Sequence, residues 1–319
     1  MTAPAPGRRT RILGTVLTLL GLPVLITLIE AVSFNIVNRT NGTMVSSGEE
    51  REYLLYVPKI YDRTRKTPLV ISMHGGGLWG AAQRDISQWN RVADEHGFIV
   101  VYPSGKGPIA RHRAWRAEGG PGLIKEVRFI SELIDTLTAA YNIDLSRVYA
   151  DGLSNGGGMA FVLSCMLSDR IAAVGMVGPA LFLPWESCPD HRLVPVIVFQ
   201  GTADRFAHYH GGKSWVAGDK EFPDIPIFTA HWARRNRCAP DPTESTLAAD
   251  VTRVEYTNCS EDAAVVLLRV EGGGHTWPGG GALPEWFAGT TTRTIDASSE
   301  MWAFFRDHPL RRKLSRADP

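Results

Sequence analysis

The chain lacks a charge bias: 34 Lys and Arg stand against 33 Asp and Glu, a formal net charge of +1. That removes any global electrostatic argument for a nucleic-acid partner or an acidic polymer. It lacks internal repeats and low-complexity stretches, so a solenoid or propeller array is not expected. Cysteine is scarce, and the four present, Cys165, Cys188, Cys238 and Cys259, form no C-x-x-C pair. A zinc ribbon or a thioredoxin-type redox site is therefore not expected. His208 and His210 flank Tyr209, but no third ligand stands at a recognisable metal spacing. Neither a metal nor a cofactor is expected.

One long hydrophobic run is present. Ile12 to Ile29 contains no charge and follows Arg8, Arg9 and Arg11. This is the length of a bilayer-spanning helix with its basic flank held in the cytoplasm. The segment reads as an uncleaved signal-anchor, or as a cleaved signal peptide with a site near Ala31-Val32-Ser33. The chain then divides into residues 1–34 as that segment, 35–50 as a linker, 51–308 as the folded domain, and 309–319 as a basic tail. The domain is expected outside the cytoplasm, attached to a membrane through the N-terminal helix or secreted. An even number of cysteines in an exported chain suggests two disulfides. Of the three connectivities, sequential pairing closes two short loops and is the expected one.

From Arg51 onward, apolar strand-like runs alternate with helix-like segments. Strands are predicted over 52–57, 68–73, 98–103, 147–154, 171–178, 194–201, 251–257 and 264–270. Helices are predicted over 86–96, 123–141, 227–237 and 296–307, with a small-residue helix following Ser154. Strands apolar throughout and separated by helices indicate a mostly parallel central sheet covered by helices on both faces. The fold class expected is α/β.

The chemistry-bearing motif is Gly152-Leu153-Ser154-Asn155-Gly156, a G-x-S-x-G pentapeptide. It follows the apolar strand VYA and opens a helix, the setting of a nucleophile elbow. A serine hydroxyl is a poor nucleophile near neutral pH and needs an adjacent base. In this arrangement the acid and the histidine follow the serine in chain order. The best acid is Asp204, just past the end of the strand VIVFQG, where catalytic groups gather in such sheets. Asp151 and Asp224 fit less well. The best base is His275, in a Gly-rich loop after the strand AVVLLRV. An oxyanion hole needs two backbone N–H groups. Asn155 would supply one, and Gly76 or Gly77, in His74-Gly75-Gly76-Gly77, the other. Trp79, Trp115 and Trp277 are candidates to line a substrate pocket.

These stretches resemble a known family. VISMHGGG, RVYADGLSNGGGMAFVLSC, VPVIVFQGTAD, GGGHTWPGG and IDASSEMWAFFRDH look like the polyhydroxybutyrate depolymerase and feruloyl esterase group of α/β-hydrolases. The resemblance spans Tyr53 to His308. It implies an α/β-hydrolase fold, a Ser154–Asp204–His275 triad, an ester substrate and the sequential disulfides. Two rivals share the scaffold: an envelope acyltransferase, and a binding protein without turnover.

Overall fold

A computed structural model describes residues 40–107, 113–189, 192–214, 216, 218, 221–281 and 283–311. The N-terminal apolar run lies outside the described residues, as does the tail from residue 312. Among the described residues, no helix is long and apolar enough to cross a membrane.

Twelve strands are described: β1 (Gly42–Ser46), β2 (Glu49–Tyr56), β3 (Thr67–Met73), β4 (Ile99–Pro103), β5 (Ile143–Leu153), β6 (Val174–Val177), β7 (Val196–Gly201), β8 (Gly212–Lys213), β9 (Glu221–Phe222), β10 (Thr243–Ala248), β11 (Val251–Tyr256) and β12 (Val265–Val270). Ten of them form one sheet in the order β1-β2-β4-β3-β5-β6-β7-β12-β11-β10, while β8 and β9 pair separately. The centre, β4 to β12, is parallel, and β1, β2, β11 and β10 complete the two edges antiparallel. The helices are α1 (Gly80–Ser87), α2 (Trp89–His96), α3 (Gly120–Ala140), α4 (Asn155–Met166), α5 (Ile225–Arg235), α6 (Glu285–Ala288) and α7 (Ala297–Asp307).

Strand periodicity explains the two-faced core. Successive side chains point to opposite faces. Leu69, Ile71 and Met73 of β3 enter one cluster, with Phe129 of α3, Phe161 of α4 and Trp232 of α5. Val70, between them, enters the other, with Trp89 of α2 and Phe305 of α7. The same alternation sends Val196 and Val198 of β7 one way and Ile197 and Phe199 the other. Every residue of β3, β4, β6 and β7 is buried, as a strand covered on both faces requires.

Four local expectations are corrected. The linker expected over 35–50 in fact contains β1 and the start of β2, joined at Ser47 and Gly48, both with positive φ. Such a two-residue turn suits the twist of a hairpin. The single helix expected over 86–96 is two helices, α1 and α2, broken at Gln88 in the left-handed region (φ 54°). β10, exposed along nearly its whole length, was not anticipated. The folded part also runs past His308: Leu310 is buried and its N–H donates to the Ser146 carbonyl at 2.7 Å.

The disulfides are sequential, as expected. Cys165 on α4 joins Cys188, and Cys238 joins Cys259.

Candidate active site

The parallel strands all end at the same edge of the sheet, and Ser154, Asp204 and His275 follow β5, β7 and β12 there. The turn after β5 is forced by contact. A Cβ on Gly152 would overlap the carbonyl of Gly156, and one on Gly156 would overlap the carbonyl oxygens of Met73 and His74. Only glycine fits either place. Ser154 sits between them with φ 55° and ψ −118°, a conformation costing on the order of 1–3 kcal/mol for a residue with a side chain. Its N–H donates to Val177 O at 2.8 Å, and its carbonyl accepts from Gly158 at 2.9 Å and Ala180 at 3.0 Å. The surrounding strands and helix α4 thus hold the strained residue, with the positive end of α4 behind it.

Asp204 is buried and saturated. Its Oδ1 accepts from the N–H groups of Phe206 (2.8 Å) and Ala207 (2.9 Å). Its Oδ2 accepts from Gln200 Nε2 (3.1 Å) and pairs with His275 Nδ1 at 2.7 Å. With Nδ1–H donating to the carboxylate, the other imidazole nitrogen is left as an acceptor. The loops carrying the pair are stitched together where Ala203 N–H donates to Gly273 O at 2.9 Å. Gly178, at the end of β6, was not singled out from sequence. A Cβ there would stand 2.9 Å from His275 Nδ1 and 3.1 Å from Asp204 Oδ2. Its glycine therefore makes room for the pair itself.

The histidine-glycine loop after β3 is braced from below. His74 is fully buried, and burial above all pushes its pKa down to about 4, so it is neutral. Gly105 N–H donates to its Nε2 at 2.9 Å, which leaves Nδ1–H to donate to Gly75 O at 2.7 Å. The two oxyanion candidates on this loop separate. Gly77 N–H is already committed to Arg113 O at 2.7 Å and is corrected as a candidate. Gly76 and Asn155 both line the cavity beside Ser154.

That cavity is about 690 Å³ and is lined by both Ser154 and His275. Its walls are largely apolar, with Leu78, Trp115, Phe182, Phe206 and Phe287 among them. Of the three tryptophans proposed for the pocket, Trp115 is in the wall. Trp277 is 1% exposed, packed in the core with its indole N–H on Ser298 Oγ, and Trp79 packs on the same core cluster. Both are corrected as lining residues. The phenylalanines carry no periodic signal in the sequence: Phe182 and Phe206 lie in loops and Phe287 on the one-turn helix α6.

The Asn155 side chain adds a clamp. Its Oδ1 accepts from Trp115 N–H at 2.6 Å, and its Nδ2 donates to Trp115 O at 3.1 Å. The Trp115 indole N–H donates to His74 O at 3.1 Å. The weaker acid candidates have other roles. Asp224 caps α5 through Ile227 N–H (2.9 Å) and meets His210 (3.0 Å). Asp151 is buried inside β5, bonded to Ser72 Oγ at 2.6 Å. Among the described residues no cluster of His, Cys, Asp and Glu fit to hold a metal ion is found.

A ten-stranded, centrally parallel sheet with helices on both faces and a serine elbow at its strand ends is an α/β-hydrolase. The family described as Esterase PHB depolymerase matches residues 51–188. Feruloyl esterase B of Piromyces equi is 30% identical over 236 residues, 70% of this chain and 42% of the relative. Poly(3-hydroxybutyrate) depolymerase of Ralstonia pickettii is 24% identical over 267 residues, 73% of this chain and 51% of the relative. The chain thus spans about half or less of these relatives. The solved acetyl xylan esterase of Aspergillus awamori, 16% identical, superposes with a TM-score of 0.55 over 80% of this chain and 94% of its own, a likeness of fold. Over these stretches the chain is similar to the polyhydroxybutyrate depolymerase and feruloyl esterase group of α/β-hydrolases.

Proposed function

We propose that this protein is a serine carboxylic-ester hydrolase working through Ser154, His275 and Asp204. The observation that carries the reading is the cavity shared by the strained Ser154 and by His275, whose far nitrogen is bound to a buried carboxylate. His275 takes the Ser154 proton as the hydroxyl oxygen attacks the ester carbonyl. The N–H groups of Asn155 and Gly76 receive the developing oxyanion; losing one such donor costs about 3 kcal/mol. His275 then protonates the leaving alcohol, and water releases the acid from the acyl-enzyme by the same route. Asp204 holds the imidazole tautomer and stabilises its charged form. A large, mostly apolar cavity suits an apolar acyl group beside Trp115. The relatives' names, feruloyl esterase and poly(3-hydroxybutyrate) depolymerase, support ester substrates of that kind. The paired cysteines and the run Ile12–Ile29 support a site of action outside the cytoplasm, with that run anchoring or exporting the domain.

Ser154→Ala is expected to abolish both hydrolysis of a panel of carboxylic esters and covalent labelling by a fluorophosphonate, with an unchanged circular dichroism spectrum. Labelling that survives in the variant rejects the assignment.

A further inference from the structure

An aromatic row runs outward from the candidate base. The Phe206 ring lies 4.9 Å from the His275 ring, the Phe287 ring 5.0 Å from Phe206, and the Trp286 ring 5.8 Å from Phe287. Exposure rises along it, from 8% at Phe206 through 44% at Phe287 to 81% at Trp286. Trp286 is the most exposed large hydrophobic side chain among the described residues. Phe206 and Phe287 line the cavity, and Trp286 extends the row from Phe287 into water; exposed aromatic groups next to a cavity mark a binding surface.

The row is fixed to the base. His275 N–H donates to Ala288 O at 2.6 Å, and Gly274 N–H donates to Thr290 O at 2.9 Å. Helix α6, which carries Trp286 and Phe287, therefore holds its position relative to the imidazole. In acyl transfer the leaving oxygen must come within hydrogen-bond reach of that imidazole, while the carbonyl oxygen points to the oxyanion donors. Groups extending outward from His275 thus meet the alcohol half of an ester. The surface they offer is three aromatic rings. The carboxylate on the same helix, Glu285, accepts from Thr290 Oγ1 at 2.8 Å. A sugar alcohol calls for hydrogen-bonding side chains along its ring, and the row supplies none beyond the indole N–H.

We propose that Phe206, Phe287 and Trp286 form the alcohol subsite of the enzyme, and that it selects esters whose leaving alcohol is itself apolar, aliphatic or aryl. This rests on the reading of the site as a serine ester hydrolase. The test uses butyrate esters of methanol, hexanol, benzyl alcohol and glucose with wild type, Trp286→Ala and Trp286→Phe. Wild type should prefer the hexyl and benzyl esters over the methyl and glucosyl ones. Trp286→Ala should lower the hexyl-to-methyl ratio of kcat/KM about tenfold, and Trp286→Phe should restore most of it. The loss should appear in acylation, because the alcohol has left before deacylation. A Trp286→Ala variant with an unaltered ratio overturns the subsite, and so does a loss confined to the glucosyl ester, which would make the row a sugar platform. Turnover of the same esters that survives in Ser154→Ala overturns the serine-hydrolase reading instead, so the two failures are distinguishable.

Discussion

Asp151 shows how one buried carboxyl changes the response of the molecule to pH. It lies in β5, three residues before Ser154, and is wholly enclosed. Burial chiefly raises its pKa to about 7, against about 3.9 in an unfolded chain. Between those values the unfolded state binds fewer protons, so the contribution of Asp151 to stability falls as pH rises, by up to about 1.4 kcal/mol per unit. His74 works in the opposite direction. Its pKa is pushed down to about 4, so its contribution is full above the unfolded value of about 6.5 and is lost as pH falls through 4. Thermal unfolding of wild type and Asp151→Asn between pH 4.5 and 7 separates the two. The variant's melting temperature should gain on wild type steadily as pH rises, since the His74 slope is common to both. A constant offset would show that folding does not hold Asp151 protonated across that range.

At the scale of elements, the Asn155 amide ties α4 to the segment carrying Trp115, and two residues earlier in that segment the Arg113 carbonyl accepts from Gly77 N–H. The elbow, the cavity wall and the histidine-glycine loop are thus one connected unit. Asn155→Ala leaves a buried N–H and C=O of Trp115 unpaired, a loss of about 1–3 kcal/mol. Its expected effect is a KM that rises several-fold for esters with bulky acyl groups and less for acetate esters, with Asn155→Asp intermediate. Steady-state kinetics over an acyl series checks this, and equal effects on all acyl groups would contradict it. The same scale shows what could be read from the chain beforehand. β3, β4, β6 and β7 are covered on both faces, so they are continuous apolar runs and were legible. β10, TESTLA, lies at an edge with nearly every residue exposed, so its composition is that of a loop. β1 was hidden in the same way. The break at Gln88 carries no glycine or proline to announce it. Strand-end position and chain order single out Ser154, Asp204 and His275 in the sequence, and in the fold Asp204 meets His275 while Ser154 and His275 line one cavity. Gly178, Phe206 and Phe287 acquire their roles only when distant loops meet over the sheet edge. Trp277 follows His275 by two residues, yet the chain turns its ring into the core.

For the whole molecule, the disulfides stand apart from the chemistry. Cys165 is ten residues along α4 from Asn155, about 15 Å away by helical rise. Cys238 follows α5 and is tied to the end of β11 through Cys259. Sequence separations of 23 and 21 residues imply, in the chain-entropy account, about 3 kcal/mol of stabilisation from each bond. For a domain of this size each kcal/mol corresponds to about 2–4 °C. Reduction followed by alkylation should therefore lower the melting temperature by on the order of 10 °C per bond. Hydrolysis at 25 °C should change less than about twofold while the protein stays folded, because the Asp204–His275 pair and the elbow are held by hydrogen bonds that reduction leaves in place. Paired measurements of melting and turnover on the fully alkylated protein test both parts. Activity lost in the alkylated protein while it remains folded would mean that strain from the broken bonds reaches Ser154 and that the site is not independent of its staples.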